Sequence, residues 1–242
     1  MLLDIAAGAS FIHGKGFLHR DLKPSNIFCN SGDRLVIGDF GSVAKKGDQG
    51  YAETLSRHSL IYRPPEEITS RRAYEQSDVY QLGLILYQLL GGSLPYDQRA
   101  WLKPKELTRW LELPYPANDF CANEIIERRI VKGKLLDLKS LPPWCPQKLV
   151  SVVRQCCKVD PGARFESASA LMAKLNNLRA SVPDWRLEPN PVLYRHSAKY
   201  RVVETNGRYS IEKMAKSGVS WRKVRTAKPC SMEEAIEMAQ QL

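Results

Sequence analysis

His19-Arg20-Asp21-Leu22-Lys23-Pro24-Ser25-Asn26, with Asp39-Phe40-Gly41 beginning thirteen positions after Asn26, is the stretch on which the reading of this chain turns. It gathers two carboxylates, one side-chain amide and one lysine around a single loop and the segment after it. Charge density and Pro24 mark residues 17–26 as a loop. Ile27-Phe28-Cys29 and Arg34 to Ile37, joined through Asn30-Ser31-Gly32-Asp33, read as a hairpin. The set has a chemical logic. Phosphoryl transfer needs an acceptor hydroxyl aimed at a phosphate, and metal ions that spread the developing charge. One carboxylate can orient the hydroxyl and accept its proton. An amide oxygen and a second carboxylate suit hard, oxygen-seeking Mg²⁺. A lysine between them can neutralise the transferring group.

Working outward, Leu2, Leu3, Ile5, Ala6, Ala9, Phe11 and Ile12 recur at helical spacing, and Gly14-Lys15-Gly16 stops the helix. Residues 38–66 are irregular and polar and read as a long loop, a feature that is usually functional inside a compact domain. From Ser77 to Leu90 the pattern is strongly helical and apolar, ended by Gly91-Gly92. Residues 93–143 mix prolines, charges and short helical pieces. Helices are expected over 146–157 and 167–178, the second after the turn Asp160-Pro161-Gly162.

The His19–Asn26 segment resembles the catalytic loop of eukaryotic-type serine/threonine protein kinases, and Asp39-Phe40-Gly41 resembles their metal-binding motif. The resemblance implies that Asp21 is the catalytic base and that Lys23 acts beside it at the phosphate. It also implies that Asn26 and Asp39 hold Mg²⁺, with ATP as phosphoryl donor and a protein as substrate. Lys23 is the residue that the serine/threonine-type enzymes carry at this place. Tyr62-Arg63-Pro64-Pro65-Glu66 resembles the end of the activation segment, with Pro64 in place of alanine. Ser59 matches the hydroxyl that contacts the catalytic aspartate. Asp78, in Ser77-Asp78-Val79-Tyr80, matches the residue that ties down the catalytic-loop backbone. Arg164, in Asp160-Pro161-Gly162-Ala163-Arg164, is expected to form a buried ion pair with Glu66. His19 is expected to shape the loop by packing, with Phe40 and Gly41 completing the metal motif. Arg20 beside Asp21 implies control by a phosphate in the activation segment, and Thr54, Ser56 and Ser59 are the candidate sites. The likeness extends over residues 1–180.

The family's glycine-rich phosphate loop, strand lysine and paired helix glutamate all precede the catalytic loop. Only 18 residues precede His19 here, so the small lobe is expected to be absent from the chain. That leaves three readings: a fragment or alternative product of a longer kinase, a chain completed by a separate small-lobe or regulatory chain, or an inactive half-kinase kept as a protein-binding module.

The fold class that follows is mainly α (α+β): a kinase-like large lobe over 1–180, a linker over 181–198 interrupted by Pro183, Pro189 and Pro191, and a small domain over 199–242. The last reads as a three-stranded sheet plus a helix. Asn206-Gly207 signals a hairpin, and Ser231 with Glu234 signals a capping box. Of the net charge of +10, residues 190–242 hold ten Lys/Arg against five Asp/Glu. Arg201, Arg208, Lys213, Arg222, Lys223 and Arg225 lie near Tyr200, Tyr209 and Trp221. A nucleic-acid-associated role for this domain is therefore a third, less favoured reading. The six cysteines form no Cys-x-x-Cys pair, so neither a zinc site nor a disulfide framework is expected. No apolar stretch approaches the roughly 20 residues of a membrane span, and no secretory leader is read. The expected setting is the reducing cytoplasm.

Overall fold

The computed structural model describes residues 1–54, 59–225 and 228–242. The chain divides into two compact units, residues 1–141 with 150–178, and residues 142–149 with 179–242. In order, the first unit's elements are α1 (Leu2–Gly14), β1 (Phe17–Leu18), β2 (Ile27–Cys29), β3 (Leu35–Ile37), β4 (Ala44–Lys45), β5 (Ala52–Glu53), α2 (Pro65–Thr69), β6 (Arg72–Ala73), α3 (Glu75–Leu89), α4 (Pro104–Glu112) and α5 (Ala117–Val131). Then come α6 (Gln147–Cys156), whose first turn belongs to the second unit, and α7 (Ala168–Leu178).

α3 is the axis of the first unit. Every residue from Ser77 to Tyr87 on it is buried, as befits a helix that is apolar nearly all round. Gly83 lets it approach α6: a Cβ there would meet the Cys156 Cβ at 2.4 Å and the Cys157 Sγ at 2.8 Å. α1 buries Leu2, Ile5, Ala6, Ala9 and His13 on one face, and Gly16 follows in the left-handed region at φ +80°, a conformation glycine adopts without steric cost. Each large aliphatic residue so buried contributes roughly 1.5–3 kcal/mol against exposure.

Short antiparallel pairs hold the loops. β1 pairs with β4, β2 with β3, and β5 with β6. In the β2–β3 turn the Asn30 Oδ1 accepts from the Gly32 and Arg34 amides, each at 3.0 Å, the local bonding that makes asparagine a turn residue. The long loop expected over 38–66 is therefore pinned in two places, at β4 and β5. Residues 93–143 are also more regular than the sequence reading suggested. α4 and α5 occupy much of them, because the interspersed prolines sit at or before helix starts, where a missing N–H costs nothing.

The second unit contains β7 (Asp184–Glu188), β8 (Asn190–Tyr194), β9 (Ala198–Thr205), β10 (Arg208–Ala215), β11 (Arg222–Lys223) and α8 (Met232–Gln241). The sheet is antiparallel, in the order β11-β10-β9-β8-β7. This corrects two expectations. The sheet has five strands rather than three, and residues 181–198 form β7 and β8 rather than a linker. The prolines that suggested a linker are accommodated by register: β8 pairs with β9 only from Val192 onward, so the donor missing at Pro191 is not needed there. The Asn206-Gly207 turn forms as expected, with φ +54° and +74°, and so does the capping box, with the Ser231 Oγ accepting from the Glu234 amide at 3.2 Å. One sheet face buries Tyr200, Val202 and Ile211 against Ala235, Ile236 and Ala239 of α8. No helix among the described residues is long and apolar enough to cross a membrane.

Candidate active site

The loop between β1 and β2 is held from below by α3. Asp78, fully buried, accepts from the His19 amide at 2.8 Å and from the Arg20 amide at 2.7 Å. The same carboxylate meets the His13 Nε2 at 2.7 Å. One turn further along α3, the Gln81 Oε1 accepts from the Leu22 amide at 2.8 Å, while its Nε2 donates to the Arg20 carbonyl at 2.9 Å and the Tyr62 carbonyl at 3.2 Å. Between these anchors Arg20 takes φ +71°. A non-glycine residue in that region costs of order 1–3 kcal/mol and persists only where its surroundings over-determine it. Here its amide and carbonyl are both fixed by α3.

That backbone delivers Asp21, which is buried. Its Oδ2 accepts from the Lys23 Nζ at 2.8 Å and the Asn26 Nδ2 at 3.0 Å. The Asn26 amide also donates to the Asp21 carbonyl at 2.8 Å, closing the loop on itself. The Asp21 Oδ1 is buried and has no hydrogen-bond partner among the described residues. A buried acceptor left unpaired costs roughly 1–3 kcal/mol, and a donor arriving at that point recovers it.

The β2–β3 hairpin brings the second carboxylate alongside. The Gly38 amide donates to the Asn26 carbonyl at 2.9 Å, and the Gly38 carbonyl lies 3.2 Å from the His19 Nε2. A Cβ at Gly38 would meet the Phe28 ring at 2.6 Å, so any larger residue there would have to displace that ring. Asp39 follows at φ +56°, exposed, and its Oδ1 accepts from the Gly41 amide at 3.3 Å. The Phe40 ring packs edge-on to His19 with centroids 5.8 Å apart. His19, Asp21, Lys23, Asn26 and Phe40 are thus linked by contacts, and Asp39 with Gly41 follows Gly38, which is bonded to Asn26 and His19.

The donor set suits Mg²⁺. Asn26 and Asp39 offer hard oxygen atoms, and Mg²⁺ is usually bound by one or two carboxylates with the remaining positions left to water and substrate phosphate.

Further out, Glu66 and Arg164 form the expected buried pair, with Nη1–Oε1 at 2.8 Å and Nη2–Oε2 at 2.7 Å. Arg164 donates further to the carbonyls of Lys158, Gln76 and Val159 and lies over the Tyr80 ring. The Ser77 hydroxyl donates to the Glu66 Oε1 at 2.6 Å. Thr54 is buried, with the Arg20 Nη2 donating to its hydroxyl at 2.6 Å. Ser59 is half-buried, and its hydroxyl makes no hydrogen bond to Asp21 among the described residues. Ser56 lies outside the described residues.

Sequence reasoning missed His13, Gln81, Ser77 and Glu67. The first three are polar positions on helical faces that are otherwise apolar, which was the available signal. Glu67 is buried beside Glu66 with its Oε1 unpaired. Burial pushes its carboxyl up to about 8, Arg20 pulls it down, Asp78 and Glu66 add to the rise, and Arg63 opposes it.

The family model described as "Protein kinase domain" matches residues 1–175. Serine/threonine-protein kinase PknD of Chlamydia caviae is 29% identical over 199 residues, covering 75% of this chain and 19% of that protein. Aurora kinase of Yarrowia lipolytica is 28% identical over 196 residues, 81% of this chain and 41% of that protein. Maternal embryonic leucine zipper kinase of Danio rerio is 31% identical over 164 residues, 66% of this chain and 20% of that protein. The chain spans between about a fifth and two fifths of the length of these relatives.

Proposed function

The chain belongs to the protein kinase family, and from that premise we propose that residues 1–180 act as the large catalytic lobe of a serine/threonine protein kinase, moving the γ-phosphoryl group of ATP to a protein hydroxyl. The observation that carries this reading is the Asp21 carboxylate, with one oxygen held by Lys23 and Asn26 and the other buried without a partner among the described residues. An acceptor hydroxyl donating to Oδ1 would be oriented for attack, and the same oxygen would take its proton as the bond to phosphorus forms. Lys23, already beside Asp21, would face the transferring group and offset its charge. Asn26 and Asp39 would hold Mg²⁺, which supplies charge neutralisation at the phosphates. The left-handed backbone at Asp39 and its contact with Gly41 would keep that carboxylate aimed before any ion arrives. Asp78 and Gln81 are positioning residues, since they hold the loop by its backbone amides and carbonyl.

The family's glycine-rich loop and strand lysine would complete the nucleotide site, whether from the same polypeptide or from a separate chain. The second unit would serve as an accessory sheet-and-helix domain.

The test is transfer from labelled ATP by the full chain with Mg²⁺, onto itself and a generic basic protein, beside Asp21→Asn. Transfer that disappears in the variant, with its circular dichroism unchanged, is the expected result. Transfer that survives Asp21→Asn, or no transfer from a chain shown to be folded, would overturn the proposal for this chain.

A further inference from the structure

The five-stranded sheet handles its charges in two ways. On one face Arg201 meets Glu212 at 2.6 Å, Glu212 also stands opposite Lys223, and Arg186 is paired with Asp184 at 2.9 Å. On the opposite face Lys213 of β10 stands directly across from Arg222 of β11. Both are exposed, and neither has a carboxylate partner among the described residues. Like charges directly opposed across an antiparallel pair destabilise the sheet. A local arrangement that works against the fold is where function is to be sought.

Lys213 and Arg222 line a cleft of about 450 Å³ together with Lys223, Ser220 and Gly218, and no acidic side chain lines it. The Gly218 amide donates to the Ala215 carbonyl at 2.8 Å, so the stretch that contributes both residues to the lining is a hydrogen-bonded turn.

We infer that this cleft binds a phosphomonoester carried on a protein side chain, a phosphoserine or phosphothreonine. Such a group carries a charge of about −1.5 to −2 and three strong acceptor oxygens. Arg222, Lys213, whose ammonium lies over the Tyr200 ring, and Ser220 line one cleft and offer the guanidinium, ammonium and hydroxyl donors that match it. A nucleic-acid backbone carries its charge in a line and is met by a row of cations. On the other face Arg186 and Arg201 are neutralised by Asp184 and Glu212, and the cations that line the cleft are gathered on β10 and β11. The choice of a protein-borne phosphate rests on the kinase reading, because that reaction makes this group.

The test is fluorescence anisotropy of the full chain with a labelled peptide synthesised with phosphoserine, its unphosphorylated twin and a short single-stranded oligonucleotide. Wild type is compared with Lys213→Ala/Arg222→Ala. The phosphopeptide is expected to bind about tenfold or more tighter than its twin and to lose that advantage in the double variant. The variant should melt at or above the wild-type temperature, since a like-charge pair has been removed. If it melts lower, Lys213→Gln alone is scored the same way. Equal binding of the two peptides, binding that survives the substitutions, or tighter binding of the oligonucleotide overturns the inference. Because the peptide arrives phosphorylated, failed ATP transfer with intact phosphopeptide binding counts against the kinase reading alone, and the converse counts against this one alone.

Discussion

Arg164 and Glu66, 98 positions apart in the chain, meet through two parallel hydrogen bonds of 2.7 and 2.8 Å in the interior of the first unit. The remaining guanidinium donors go to three backbone carbonyls, so the charge is satisfied on every side. Removing one partner strands the other. Arg164→Ala is expected to cost about 3–5 kcal/mol, read as a lower urea midpoint. Glu66→Gln/Arg164→Met together should cost less than Arg164→Ala alone, because no buried charge remains. A double variant as unstable as the single one would show that the pair's worth lies in packing.

Glu67 makes stability depend on pH. Its folded-state value of about 8 lies above the ordinary 4.5, so the folded chain holds a proton that the unfolded chain releases between those values. Stability should therefore fall as pH rises from about 4.5 to 8 and level off above. The slope is at most about 1.4 kcal/mol per pH unit for a single group. Glu67→Gln should flatten the decline in melting temperature over that window. Parallel curves for the two proteins would mean that the carboxyl is ionised throughout.

Gly83 should tolerate no side chain. The Cβ of Gly83→Ala would sit 2.4 Å from the Cys156 Cβ, which forces α3 and α6 apart. The expected loss is about 1–3 kcal/mol, seen in chemical denaturation. An unchanged midpoint would mean that the helices separate without strain.

Gln81→Leu keeps the bulk of the side chain and removes its three hydrogen bonds to the backbone of residues 20, 22 and 62. Leaving these groups unpaired should cost about 2 kcal/mol or more. Transfer should fall about tenfold or more through a lower kcat, with little change in KM for peptide, since the residue touches no substrate. An equal rise in KM would place it instead in substrate binding.

The thiols offer a simpler reading. Cys156 and Cys157 are pushed up by burial, Cys157 to about 12, whereas Cys29 is exposed. A thiol reagent at neutral pH should modify Cys29 first and leave the pair on α6 and just beyond it unreacted until the chain unfolds.

Much of the site was legible because its chemistry sits in short runs of sequence. Asp21, Lys23, Asn26 and Asp39 declare themselves by residue type and spacing. Glu66 with Arg164, and Asp78 with the loop, were foreseen from the kinase resemblance and are found as expected. Gln81 and His13 were not foreseen, because their partners are backbone groups or a residue 65 positions away, and no local pattern encodes such a pairing. Ser59, matched by the same resemblance to the residue that contacts the catalytic aspartate, makes no hydrogen bond to Asp21 among the described residues. In the second unit the prolines at 189 and 191 hid two strands, since whether a missing N–H matters depends on a register that only β9 decides. The clash of Lys213 with Arg222 is likewise invisible until β10 and β11 are aligned.

Asp78 grips the loop by the amides of residues 19 and 20, which every amino acid except proline possesses. The grip is therefore indifferent to which side chains stand there. What ties those two side chains down is separate from this grip: Arg20 donates to the Thr54 hydroxyl, and His19 lies against the Gly38 carbonyl and the Phe40 ring. The grip itself hangs on the one carboxylate beneath, where even the shift of a single methylene to glutamate would move the acceptor away from both amides at once.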